Sequence, residues 1–182
     1  MVTGGAGFIG SRFVMIAAFG RLIHRGMDVS LLLVGPFEPE RDPLPDDVHE
    51  WIQQEQRVKA VGYSPKPERY LSISDLFCLP SYREGFPNVV IEAAVMGVPT
   101  VGTRMVGLVD SVVDGETGIL VPPRDVDALA DALSRMLSDE ALRMRMGKAA
   151  QERARALYDS NTVNQLLLGE YEILLRQHEV LV

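Results

Sequence analysis

The sequence predicts an α/β fold in which a parallel β-sheet is flanked by helices. Short apolar runs bounded by glycine or proline alternate along the chain with longer helical patterns, as in successive strand–helix–strand units. At 182 residues the chain is long enough for one domain with a full core but short for two. We therefore expect a single domain over residues 1–182, with an atypical segment at 1–12 and a C-terminal helix over 158–182.

The clearest strand–helix–strand unit lies in the middle of the chain. Residues 77–80 and 99–102 are short apolar runs that predict two buried parallel strands. Between them, Pro87 suits the first position of a helix and Gly97 suits its exit. The sequence therefore predicts a helical crossover from about residue 87 to residue 96.

The first turn of this predicted helix lacks a capping side chain. The cap position falls on Phe86, which offers no oxygen to the free N–H groups of the first turn. A bound anion would satisfy them, because a helix start supplies both donors and a positive dipole. At a rise of about 1.5 Å per residue, Glu92 lies roughly 7–8 Å further along the axis. This is about the distance from a pyrophosphate to the ribose hydroxyls of a nucleotide.

Glu92 is surrounded by apolar residues on every face of the predicted helix: Val89, Val90, Ile91, Ala93, Ala94 and Val95. A helix that is apolar on every face is expected to be buried. A buried carboxylate needs partners, because unpaired burial costs several kcal/mol or shifts the pKa. We therefore expect Glu92 to be buried beside a partner. The alternative is that Glu84 and Glu92 serve only as hydrogen-bond partners for the helix and its preceding loop.

Several motifs around this unit occur together in one protein family. Glu84 and Glu92 are separated by seven residues within EGFPNVVIEA, preceded by PSYREGFPN and followed by MGVPTVGT and VVDGETGILVPPRD. On these motifs the chain resembles, over about residues 16–171, the retaining sugar-nucleotide glycosyltransferases of family 4, whose EX7E motif has this spacing. Those enzymes have the GT-B fold of two Rossmann-like domains, and the chain resembles the C-terminal, donor-binding one. The resemblance implies a Rossmann-like doubly wound parallel sheet with C-terminal helices, one half of a GT-B fold.

The resemblance also implies a reaction and a set of site residues. The reaction is transfer of a sugar from a nucleoside diphosphate sugar, such as a UDP-sugar, to an acceptor hydroxyl with retention, as in polysaccharide biosynthesis. Glu84 would be catalytic, facing hydroxyls of the donor sugar, and Glu92 would bind the ribose hydroxyls. The other residues expected at the donor are Arg83, Gly85, Phe86, Pro87, Asn88 and Val89, with Gly62, Tyr63 and Ser64 near the base. Arg104 is a weaker candidate for added positive charge.

The missing acceptor domain leaves two further alternatives open. The chain would be a nucleotide-sugar-binding module without turnover, or it would need a separate acceptor-domain chain for activity. In two-domain relatives the last helix braces the acceptor domain, so apolar residues there would form an uncovered patch that a homodimer or a partner chain would bury. These residues are Leu166, Leu167, Leu168, Ile173 and Leu174.

The N-terminal segment VTGGAGFIGS has glycines at 4, 7 and 10, a spacing typical of a dinucleotide phosphate loop. Up to Arg12 it resembles the N-terminus of NAD-dependent sugar epimerases and dehydratases. Two observations oppose that function: the second predicted strand ends in Gly35 and Pro36 instead of an acidic residue, and no tyrosine stands four residues before a lysine. An epimerase fragment is the less favoured alternative, and a glycine turn that only joins a strand to a helix is another.

Composition excludes several classes of function. The net charge of −7 and the pI near 5.0 argue against a nucleic-acid surface, which needs a basic stripe. The three histidines, His24, His49 and His178, are scattered, so we expect no metal site and no cofactor beyond the nucleotide-sugar substrate. The start lacks the basic region of a signal peptide, and no apolar run approaches the roughly 20 residues of a membrane span. We expect a cytoplasmic protein.

Two further predictions concern the surface and the core. A basic run in the amphipathic helix predicted over residues 139–157 indicates a solvated face, because Glu140 and Glu152 interrupt it. The alternative is contact with anionic lipid head groups, which would make membrane contact at most peripheral. The basic residues are Arg143, Arg145, Lys148, Arg153 and Arg155. Cys78 lies in a predicted strand and is expected to be a buried, reduced thiol.

Overall fold

The computed structural model describes residues 2–4, 11–36, 44–82 and 85–179. The strands are β1 (Val2–Gly4), β2 (Leu31–Val34), β3 (Val58–Gly62), β4 (Phe77–Leu79), β5 (Thr100–Thr103) and β6 (Gly118–Val121). The helices are α1 (Ser11–His24), α2 (Asp46–Gln54), α3 (Glu68–Leu71), α4 (Asn88–Val95), α5 (Leu108–Ser111), α6 (Val126–Ser138), α7 (Glu140–Tyr158) and α8 (Ser160–Glu179).

The six strands form one sheet in the order β3-β2-β1-β4-β5-β6. Every pair of neighbours is parallel. The strand order reverses between β1 and β4: β2 and β3 follow β1 towards one edge of the sheet, and β5 and β6 follow β4 towards the other. In open α/β sheets ligands bind outside the carboxyl ends of the strands at such a reversal. The predicted parallel α/β sheet is confirmed.

Side chains alternate across the sheet into two apolar cores. Cys78 points into a first core, which α1, α2 and α6 cover. Phe77 and Leu79 point into a second core, which α3, α4 and α5 cover. Helices therefore cover both faces, as a doubly wound sheet requires. Burial raises the pKa of the Cys78 thiol to about 12, so it is the buried, neutral thiol that the sequence predicted.

Helix α4 begins one residue later than its expected start. Pro87 occupies the cap position with extended backbone, at φ −78° and ψ 95°, instead of the first helical position. The Val90 N–H donates to the Pro87 carbonyl at 2.9 Å. Among the described residues no side chain caps the first turn, so the uncapped start predicted from the sequence is confirmed.

The other end of α4 is closed by a Schellman motif. Gly97 has φ +75°, which costs a glycine little because it has no Cβ. Its N–H donates to the Ala94 carbonyl at 2.9 Å, and the Val98 N–H donates to the Ala93 carbonyl at 2.9 Å. The glycine exit expected at this position is confirmed.

Helix α7 packs directly on this closed end of α4. Gln151 Nε2 donates to the Val95 carbonyl at 2.7 Å. A Cβ built on Gly147 would lie 2.1 Å from the Gly97 carbonyl oxygen, so the two backbones touch at this point. Because α7 holds one end of α4, it also sets the direction in which the open start of α4 points.

Two arginines of the predicted basic face belong to the packing instead. Arg143 donates to the carbonyls of Met136 and Leu137, at 3.0 and 2.8 Å. Arg153 donates to the Asp110 carbonyl at 3.2 Å. The prediction of a wholly solvated face was wrong for these two, because carbonyls near helix C-termini lack intrahelical partners and attract cations. The exposed members of the run are Arg145, Lys148 and Arg155.

Helix α8 carries the apolar patch that the sequence predicted. The five leucine and isoleucine side chains named above are between 49% and 66% exposed. Asp159 precedes the helix, and its carboxylate accepts the Asn161 N–H at 3.0 Å. None of the helices in the described part of the chain is long and apolar enough to cross a membrane.

Candidate functional site

A cleft of about 210 Å³ opens at the carboxyl ends of β2 and β3, beside α3 and α4. Four of the predicted donor-binding residues line it: Tyr63, Ser64, Val89 and Glu92. The first two follow β3 and the other two belong to the first turns of α4. The cleft thus brings together two segments that are separate in the sequence.

Glu92 is exposed in this cleft, and the prediction that it is buried was wrong. Helix α4 contributes only Val90 and Ala93 to the core, while Val95 and Met96 are 44% and 41% exposed. The apolar composition overstated the burial because one side of the helix rests on the sheet and the others do not. The Glu92 carboxylate is therefore accessible to the hydroxyls of a ligand.

Tyr63 is 76% exposed, so its ring is not packed into the core and is accessible to a ligand. Ser64 is partly exposed beside it, and its Oγ accepts the Lys66 N–H at 3.2 Å. Gly62 does not line the cleft but supports it, because its carbonyl accepts the Gly35 N–H at 2.8 Å. This bond joins the loops that follow β2 and β3.

Sequence reasoning missed six further residues that line the cleft. Two of them, Gly35 and Pro36, follow β2 directly. Their position was a usable signal, because the carboxyl ends of neighbouring parallel strands meet at one edge of a sheet. The other four are apolar or core residues that no local pattern marks as part of a site. They are Val34, Pro67, Leu71 and Phe77.

The residues around the start of α4 lie apart from the cleft lining. Gly85, Phe86 and Asn88 are exposed, and Pro87 is buried. Phe86 contacts the ring of Tyr158 at the end of α7, with ring centroids 5.5 Å apart and planes at 62°. Phe86 and Asn88, which flank the start of α4, are therefore at the surface, next to an aromatic contact.

Two of the predicted site residues, Arg83 and Glu84, lie outside the described residues. The glycines at 7 and 10 do so as well, so their proposed phosphate role remains a prediction. Arg12, which follows them, is described, and its guanidinium donates to the Pro36 carbonyl at the rim of the cleft.

Arg104 follows β5 at the same edge of the sheet, but its charge is already engaged. Its guanidinium pairs with the Asp114 carboxylate, and its backbone N–H donates to the Val121 carbonyl at 2.7 Å. The same carboxylate accepts the Leu120 N–H at 2.8 Å. Arg104 is thus held by the turn over residues 114–118, and this arrangement disfavours it as a charge for phosphates.

This pairing predicts a pH-dependent contribution to stability. Burial acts to raise the pKa of Asp114, but hydrogen bonds from Leu120 and Arg104 outweigh it, and the pKa is lowered from 3.8. A carboxylate with a lowered folded-state pKa stabilises the fold above its unfolded pKa, and this is lost as the pH falls through the folded value. We expect Asp114→Asn to be less stable than the wild type at neutral pH, with the difference shrinking below about pH 4. Urea unfolding of both proteins, at neutral pH and at about pH 3, measures this difference in the free energy of unfolding.

Glu116→Gln is the matched control, because Glu116 is exposed in the same turn. It should change the free energy of unfolding little at either pH. A difference between wild type and Asp114→Asn that stays constant from neutral pH to about pH 3 would show that ionisation of Asp114 is not its origin.

The described residues contain no group of three or more His, Cys, Asp or Glu side chains placed to hold a metal ion. Asp125 and Asp127 have DxD spacing, but both are engaged in packing. Asp125 caps α6 by accepting the Ala128 N–H at 2.9 Å, and Asp127 pairs with Arg21 of α1. The expectation that the site uses no metal and no other cofactor remains a prediction.

Comparison with known proteins places this geometry in a family. The family described as "Glycosyl transferases group 1" matches residues 11–139. The capsular polysaccharide biosynthesis glycosyltransferase CapM of Staphylococcus aureus is 30% identical over 165 residues, which covers 91% of this chain and 43% of CapM. The family match begins after the glycine segment, and the comparisons give no support to the epimerase resemblance of residues 1–12.

Two solved structures share the fold. HepE of Anabaena, in complex with UDP, aligns with a TM-score of 0.79 at 23% identity, over 94% of this chain and 48% of HepE. The C-terminal domain of a group 1 glycosyl transferase, LpcC of Francisella tularensis, aligns with a TM-score of 0.72 at 18% identity, over 88% of this chain and 84% of that domain. The chain spans less than half the length of CapM and HepE, and its fold is one half of a GT-B fold. By sequence and by fold, the chain belongs to the group 1 glycosyltransferases.

Proposed function

We propose that this chain is the donor-binding half of a retaining glycosyltransferase that moves a sugar from a nucleoside diphosphate sugar to an acceptor hydroxyl. The observation that carries the proposal is the cleft that brings Glu92 and Tyr63 together next to the uncapped start of α4. Family membership supports the reaction class. The role of CapM in capsular polysaccharide biosynthesis supports polysaccharide biosynthesis as the setting.

In this proposal each part of the nucleotide meets a different part of the site. The diphosphate lies at the start of α4, where the amides of Asn88 and Val89 and the helix dipole favour an anion. The ribose hydroxyls donate to the Glu92 carboxylate. The base stacks on the exposed ring of Tyr63, because an aromatic face accepts any base. The UDP bound by HepE, which has the same fold, supports a nucleoside diphosphate as the ligand.

The chemistry that this half supplies is electrostatic. During transfer the bond between the anomeric carbon and the diphosphate oxygen breaks, and negative charge develops on the departing diphosphate. The start of α4 stabilises that charge, as preorganised N–H donors do elsewhere. Glu84 orients the donor sugar through its hydroxyls. In this proposal the acceptor is bound outside the donor cleft, by an acceptor domain, a partner chain or a second copy of this chain.

A second candidate function is a nucleotide-sugar-binding module that turns nothing over. One observation favours it: the described strands form a single sheet, and all the contacts proposed at its cleft go to the donor. Incubating the chain with UDP-glucose and a saccharide acceptor separates the two functions. Release of UDP by the chain alone would exclude the module, whereas release only after adding an acceptor domain would support the need for that domain.

Isothermal titration calorimetry of the 182-residue chain with UDP, GDP and NAD tests the proposal itself. We expect UDP or GDP to bind and NAD not to bind. We also expect affinity to be unchanged by EDTA, because the proposed contacts are amides, a carboxylate and an aromatic ring. Binding of NAD in the absence of binding by either diphosphate would overturn the donor site and support the epimerase alternative.

A further inference from the structure

The described ends of the connection between β4 and α4 each make an aromatic contact that the proposed donor contacts do not use. At the β4 end, Tyr82 packs against the first core, and Cζ of Arg124 lies 5.2 Å from its ring centroid. At the α4 end, Phe86 makes its edge contact with Tyr158. Both aromatic residues lie within five residues of the element that they flank: Tyr82 follows β4, and Phe86 precedes α4.

Arg124 stands in the turn between β6 and α6. Its φ is +64°, and among the described residues no other residue except glycine has a positive φ. This conformation is unfavourable for a residue with a Cβ and persists where the surroundings hold it. The next residue, Asp125, caps α6. The turn thus places a cation over the Tyr82 ring, a geometry that is itself attractive.

Tyr158 is the last residue of α7, immediately before Asp159. Its ring is partly buried, and its hydroxyl lies 3.5 Å from the Asp110 carbonyl, which also accepts from Arg153. Helix α7 therefore touches α4 at both ends. Gln151 and Gly147 hold the closed end, and Tyr158 holds the residue that precedes the open end.

We propose that Tyr158 and Arg124 are positioning residues for the donor site. Arg124 contacts the β4 end of the connection and Tyr158 contacts the α4 end, from opposite faces of the sheet. The open start of α4 therefore presents its amides in a fixed direction. A preorganised site binds more tightly because fixing the first turn of α4 costs nothing further at binding. The inference rests on the proposed function, since it assigns these contacts to binding of the diphosphate.

Titration of UDP and of uridine into wild type, Tyr158→Ala and Tyr158→Phe tests this assignment. Loss of an aromatic pair is expected to weaken UDP binding about three- to ten-fold in Tyr158→Ala. Uridine lacks the phosphates, so its affinity should change less than about two-fold. Tyr158→Phe keeps the ring contact and should bind UDP within about two-fold of wild type. The double variant Phe86→Ala with Tyr158→Ala should lose no more than Tyr158→Ala alone, because both remove one contact.

Hydrogen exchange without nucleotide tests the anchoring separately. We expect the amides of residues 85–90 to exchange about three- to ten-fold faster in Tyr158→Ala and in Arg124→Ala than in wild type. Leu157→Ala is the matched control, because Leu157 is the exposed neighbour of Tyr158 on the same helix. It should exchange like wild type in this segment.

The outcomes distinguish the positioning role of Tyr158 and Arg124 from the proposed function of the chain. UDP binding that is unchanged in Tyr158→Ala would overturn the positioning role and leave the donor site intact. Equal loss of UDP and uridine affinity, or a Tyr158→Phe variant as impaired as Tyr158→Ala, would also overturn it. A wild-type chain that binds neither UDP nor GDP would contradict the proposed function. Unchanged exchange of residues 85–90 in both variants would show that the contacts do not hold the connection.

Discussion

Glu92→Ala is expected to weaken UDP binding by about ten-fold or more while leaving the stability of the fold unchanged. Hydrogen bonds to a charged group contribute about 1.5–3 kcal/mol, or about 10- to 150-fold in affinity. Because Glu92 is exposed in the cleft, its removal leaves no buried group without a partner. Calorimetry with UDP and thermal unfolding measure the two effects.

A comparison of UDP with 2′-deoxy-UDP sharpens this test. If Glu92 binds the ribose, the wild type should prefer UDP, and Glu92→Ala should lose that preference along with its affinity. Glu50→Ala is the control, since Glu50 is an exposed carboxylate on α2 that does not line the cleft. A Glu92→Ala variant that keeps both its UDP affinity and its preference over the deoxy form would show that Glu92 does not contact the ribose.

Gly147→Ala is expected to destabilise the fold by about 1–3 kcal/mol, the usual cost of overpacking, or more. The added Cβ would lie 2.1 Å from the Gly97 carbonyl oxygen and 3.3 Å from Cδ of Pro99. Because the nearest atom belongs to the backbone, no side-chain rotation relieves the clash, and α7 must move away from α4. Urea unfolding gives the change in the free energy of unfolding.

Gly20→Ala in α1 is the matched control for this substitution. Gly20 is also inside a helix, but a Cβ there meets nothing within 4 Å. Alanine should stabilise the helix by about 0.5–1 kcal/mol, because it restricts the unfolded chain. If both variants changed stability by the same amount, the close contact between α7 and the end of α4 would be absent in solution.

The parts of the fold that local chemistry determines were predictable from the sequence. Gly97 marked the end of α4, because the residue that follows a helix often has a positive φ, which glycine adopts more easily than any other residue type. Strands β4 and β5 followed from the same kind of local rule, because short apolar runs mark them in the sequence. The spacing of Glu84 and Glu92 indicated the family, because seven intervening residues are counted directly in the sequence, while the roles of the two carboxylates stay predictions.

What the sequence did not reveal depends on contacts between distant segments. Pattern alone did not show that α4 leaves Glu92 open to a cleft, since burial depends on which elements lie against each side of a helix. Arg143 and Arg153 looked like surface charges because their carbonyl partners belong to other helices. Phe86 meets Tyr158 only because α7 returns across α4, a fact of tertiary packing that no local rule contains.

The central place of β1 has a consequence for how the chain reaches its native state. Its three residues join the β3-β2 pair to the β4-β5-β6 group, so the two halves share no strand pairing without it. A chain lacking residues 1–10 would leave an unpaired inner edge on each half-sheet, and such edges recruit strands from other molecules. This three-residue strand would then govern whether newly made chains fold or aggregate.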